Sequence, residues 1–143
     1  MIRFRNHTAY AAVLTLALAS AVAGCSDSET STAPGVNAAV VGTWNATSFV
    51  VMGNDLIPPL GVSFVFNANG TFALNFTNDQ GDFCDPMEVN CGETGNYTST
   101  STTITLDPGT ADETTLSYSI SGSTMTINAT VDGEAIVVVL NKA

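Results

Sequence analysis

From Val41 to the end of the chain, apolar residues recur at every second position in short runs, and no segment sustains a helical period. This spacing constrains the fold more than any other feature, because successive side chains of a strand point to opposite faces. Phe64 and Phe66 alternate with Ser63 and Val65; Phe72, Leu74 and Phe76 with Thr71, Ala73 and Asn75; Met125, Ile127 and Ala129 with Thr124, Thr126 and Asn128. Each such strand has one dry and one wet face. The pattern predicts an all-β fold with strands over 43–52, 62–67, 70–77, 95–100, 102–106, 114–120, 123–130 and 135–141. Short turns with Gly, Asn and Asp join most of them, at Asn67 to Gly70, Asp107 to Gly109, Ser121 to Ser123 and Asp132 to Gly133. Turns of this kind link antiparallel neighbours. An eight-stranded antiparallel up-and-down meander removes its two free edges by closing into a barrel.

The first and last strands are apolar on both faces, at Phe49 to Met52 and Ile136 to Leu140. In a closed meander they are partners, so their second apolar faces would form one strip on the outer wall. Either the segment Gly53 to Gly61, with Leu56, Ile57 and Leu60, folds over that strip, or the pattern marks a well-buried sheet centre.

The front of the chain reads differently. Arg3 and Arg5 precede an apolar run from Ala11 to Ala23, shorter than the ~20 residues a membrane-spanning helix needs. This is the layout of an export signal. Val22, Ala23, Gly24 and Cys25 resemble the bacterial lipobox, which implies a signal peptide over 1–24 and a lipid-carrying Cys25 at the mature terminus. By the same resemblance Ser26 points to the outer membrane. Residues 25–40 lack aromatic residues and an apolar period, and are expected to form a disordered tether. The barrel domain then occupies 41–143.

Loss of 1–24 removes Arg3, Arg5 and His7, leaving 13 acidic residues against a single basic one, Lys142. Nucleic-acid recognition rests on Lys and Arg, so nucleic acid is excluded as a partner. Without histidine there is no imidazole base or ligand, and no enzymatic activity or cofactor is expected. Anionic lipid headgroups would repel this chain, so membrane attachment is expected through the lipid alone.

Gly42, Thr43 and Trp44 open the first strand, followed by Phe64–Asn69, Gly70–Phe72, Gly95–Tyr97, Thr103–Leu106, Tyr118–Gly122 and a closing strand ending in Lys142. This order resembles the small lipocalin-like domain of bacterial envelope lipoproteins. The resemblance implies an up-and-down barrel with Trp44 packed at one end of its core. The chain is shorter than a full lipocalin, and the terminal arginine that packs over the tryptophan in lipocalins is missing.

One segment stands apart. Asn78 to Thr94 is expected as a long loop holding Cys84 and Cys91, the only cysteines besides Cys25 that follow the signal. In an oxidising periplasm this pair is expected to form a disulfide; two thiols without histidine make a poor zinc site. The loop also carries Asp79, Asp82, Asp85, Glu88 and Glu93. Asp79, Asp82, Asp85 and Glu88 are candidate calcium ligands, although their spacing departs from the Asp-x-Asp-x-Asp-Gly loop and a charge run is ordinarily a solvated face.

Two readings of function stay open. In one, the barrel binds a small apolar or amphipathic ligand against Phe64, Phe66, Phe72, Phe76, Tyr97 and Tyr118. In the other, these aromatics fill a solid core and the surface meets an envelope protein partner. Internal volume separates them.

Overall fold

Alternation along the strands becomes a closed sheet in the computed structural model, which describes residues 32–81, 83–131 and 133–143. The strands are β1 (Gly42–Val51), β2 (Asn54–Asp55), β3 (Gly61–Phe66), β4 (Thr71–Thr77), β5 (Asn90–Ser99), β6 (Thr103–Leu106), β7 (Thr114–Ser121), β8 (Thr124–Val131) and β9 (Glu134–Lys142). β1 and β3 to β9 run as an antiparallel meander, and pairing of β1 with β9 closes it into an eight-stranded barrel. Among the described residues no helix forms. The expected signal peptide, 1–24, and lipid-bearing Cys25 lie outside the described residues.

The two-faced first strand has a local cause. Trp44 and Ala46 point into the core, but the register with β9 shifts between Ala46 and Ser48, so that Thr47 has no opposite number. A bulge of this kind inverts the phase of the strand beyond it. Phe49 and Val51 therefore turn inward as well, opposite Val138 and Ile136. The alternate residues form the predicted outer strip, where Val50 pairs with Val137 next to Val139 and all three are half-buried.

The segment expected to cover that strip goes elsewhere. Leu60 is a member of the core, and Leu56 and Ile57 pack against it. Asp55 fixes the turn: its carboxylate accepts hydrogen bonds from the N–H of Phe49 (3.0 Å) and Ile57 (3.0 Å) and from the Ser48 hydroxyl (2.8 Å). These bonds stabilise the charged form and hold the Asp55 carboxyl below its ordinary range. They also pull 53–60 over the end of the barrel, because the two-residue β2 pairs back on Val50 and Val51.

Two further boundaries differ from expectation. β5 begins at Asn90 rather than 95, because β4 templates its whole length from Thr77↔Asn90 to Thr71↔Asn96. Tertiary pairing there overrides a Gly-rich, polar local sequence. Part of the segment expected as a tether over 25–40 is ordered: Ala33 N–H bonds to Ala68 O (2.7 Å), and Val40 is fully buried.

Candidate functional site

The barrel interior is the natural place to seek a site, and its contents follow from the strand phase. Phe64 and Phe66 on β3, Phe72 and Phe76 on β4, Tyr97 on β5 and Tyr118 on β7 all project inward, and none is more than 6% exposed. The structure thus brings the six predicted ligand-contacting residues into one core. Three of their rings meet each other: Phe64 stacks on Phe66 at 5.7 Å between centroids, and Phe66 meets Tyr97 at 5.0 Å. Ile104, Met125, Ile127, Val138 and Leu140 fill the remaining wall.

One end of this core is closed by the stretch before β1. Val40 is buried, and its carbonyl accepts the indole N–H of Trp44 at 2.7 Å. Asn37 donates to the carbonyl of Thr100 and the hydroxyl of Tyr118, both at 3.0 Å, while that hydroxyl donates to Thr100 O at 2.7 Å. Gly70, at φ +84°, lets the β3–β4 turn approach Val36 and Ala33 closely. The missing terminal arginine has a substitute, since Lys142 pairs with Trp44 and holds its Nζ 5.1 Å from the ring centroid. Burial pushes the Tyr97 phenol up to about 12 and raises Tyr118 as well, the Asn37 hydrogen bond opposing the latter.

The opposite end is closed by the stapled loop. Cys84 and Cys91 form the expected disulfide. Phe83 beside it stacks on Phe76 at 4.9 Å and meets Phe49 edge-on at 5.3 Å. Asp79 organises this turn, its Oδ2 accepting from the N–H of Gly81 (3.2 Å), Phe83 (3.1 Å) and Cys84 (2.9 Å). Of the calcium candidates, Asp79 is therefore buried inside the loop, Asp85 and Glu88 are exposed, and Asp82 lies outside the described residues. Among the described residues no three His, Cys, Asp or Glu side chains group to hold a metal.

Two grooves are lined by residues other than the six aromatics. One, of about 280 Å³, opens where β1 and β3 separate beyond Asn45↔Ser63, lined by Asn45, Ala46, Val62, Ser63, Asn75 and Thr77. The other, of about 190 Å³, lies between the 55–60 turn and Asn78 to Gln80. Sequence reasoning missed Phe83, Val40 and Asn37 as closing residues. An aromatic next to a cysteine in an otherwise polar loop was the one available signal. It also placed Glu93 in a solvated loop, whereas β5 turns it toward the interior side, half-buried near Asp107 and Asp112. Its carboxyl is raised, first by burial and then by those two like charges.

A meander of eight strands, closed by its first and last members around an aromatic core, is the up-and-down barrel architecture of lipocalins. The sequence profile of the lipocalin-like domain matches residues 40–127, more than half of the chain, and the protein belongs to this family. No curated protein and no solved structure matches the chain.

Proposed function

We propose that this protein is an envelope lipoprotein, exported by residues 1–24, held through a lipid on Cys25 at the outer membrane, and acting through its surface on a protein partner. The observation that carries the surface reading is the burial of all six aromatics, none more than 6% exposed. Phe64, Phe66 and Tyr97 pack ring to ring, Phe76 stacks on Phe83, and all six share one buried cluster with Val40 and Trp44. A small-molecule site ordinarily takes roughly 300 Å³ or more. The lipobox resemblance at Val22 to Cys25 supports the anchor. Because the described chain joins the barrel beside the β3–β4 turn, the lipid would attach at the end closed by Val40.

A second reading has one observation in its favour. The ring that seals the far end, Phe83, hangs on a loop rather than on a strand. Displacing it would open the interior to a small apolar ligand.

Native mass spectrometry of the protein extracted from its host envelope, with and without chelator, tests both readings. The expected species is the chain from Cys25 onward carrying its lipid and nothing else. A co-purifying apolar molecule would replace the surface reading with the ligand reading. Cys25→Ser is expected to release the protein from the membrane fraction, and continued membrane attachment of that variant would remove the anchor.

A further inference from the structure

We infer that the open edge of β5, between Asn90 and Gly95, docks an extended strand of a protein partner bearing lysine or arginine. β5 pairs with β4 from Asn90 to Asn96 but with β6 only from Tyr97 to Ser99. Among the described residues, no strand pairs with its other edge from Asn90 to Gly95. The direction of its backbone groups is fixed by two neighbours. Tyr97 N–H points to β4, bonding Gly70 O at 2.7 Å, whereas Asn96 faces the other way, bonding Asp107 through both N–H (3.0 Å) and C=O (2.7 Å). Because direction alternates along a strand, Gly92 and Thr94 present N–H and C=O to the open edge. Such a row is a template for an added strand.

The flanks point to what that strand carries. Met87 and Val89, just before β5, are among the few large apolar side chains exposed, at 102% and 56%. Asp85 and Glu88 share the stapled loop with them, and Asp107 and Asp112 beyond β6 lie near enough to Glu93 on β5 to raise its carboxyl. The only basic side chain among the described residues, Lys142, is at the opposite end over Trp44. An incoming cation would relieve the repulsion that Asp107 and Asp112 exert on Glu93. A second copy of this acidic chain would add to it instead. This inference rests on the proposed surface function, under which the edge lies at the end away from the lipid, clear of the bilayer.

The test is a titration of the isotope-labelled, lipidated protein in detergent with an eight-residue peptide of alternating lysine and valine, followed by amide NMR. Shifts centred on Gly92 and Thr94 are expected, with affinity falling as salt is raised. Thr94→Pro removes an edge N–H without touching the β4 ladder and should weaken binding about tenfold. Asp112→Lys with Glu113→Lys, on an exposed turn, should weaken it while leaving the fold intact. The inference is overturned if no peptide binds, if the shifts map to another face, if a glutamate–valine peptide binds equally well, if both variants bind normally, or if β5 edges pair into a dimer. A ligand found inside the barrel would sink the surface reading itself; a partner seated on another face would sink only this one.

Discussion

Trp44 shows how one side chain joins three parts of the molecule: its body fills the barrel end, its N–H holds the carbonyl of Val40, and its face carries Lys142. Trp44→Phe removes the hydrogen bond and leaves a void, and is expected to cost about 2–4 kcal/mol in a denaturant melt. Asp79 is the counterpart at the other end. Replacing it with Ala strips the acceptor from three N–H groups and should cost about 3 kcal/mol, with loss of the ring-current shifts around Phe83. Glu93 acts in the opposite sense. Its raised carboxyl makes the charged form unfavourable in the fold, so its contribution is fullest below the ordinary value of 4.5 and is lost as pH rises through the folded value. Glu93→Gln should therefore stabilise the protein at pH 7 by less than about 1 kcal/mol after allowing for its partial exposure. That gain should vanish in melts below pH 4.

Among the elements, the stapled loop and the stretch before β1 do the closing. Cys84 and Cys91 are seven residues apart, and on the chain-entropy account their bond contributes roughly 2–3 kcal/mol. Cys84→Ser with Cys91→Ser is expected to lower stability by that amount and to loosen Phe83 from Phe76 and Phe49. Hydrogen exchange should rise over Asn78 to Asn90 while the β8–β9 ladder stays protected; uniform loss of protection would show that the staple supports the whole barrel. The strands of this molecule were legible from period two wherever one face is dry, as in β3, β4 and β8. β5 was legible only from Gly95 on, because Asn90 to Thr94 carries no alternation and is strand by virtue of pairing with β4. The order of Val36 to Val40 was illegible for a similar reason. A few small residues with no period acquire structure only from the barrel end they plug.

At the scale of the whole molecule, the aromatics expected to face a ligand and the aromatics needed to fill a core are the same six residues. Their inward direction followed from the sequence, but whether space was left between them did not. Alkaline titration reports on that closure: Tyr97 is pushed up to about 12, so the stability it contributes should persist below its ordinary value of 10.0 and be lost as pH rises toward 12. Phenol absorbance rising in step near pH 10, with no accompanying unfolding, would contradict a dry interior. By itself the sequence determined the sheet, its antiparallel order, the disulfide pair and the excess of acid, since these depend on spacing of two, on turn residues and on charge count. Only the tertiary structure decided the phase inversion at Thr47, the turn of 53–60 onto the barrel end, the plugs at both mouths and the open edge of β5. Each of those depends on which distant backbone or ring lies opposite, a relation that local periodicity does not encode.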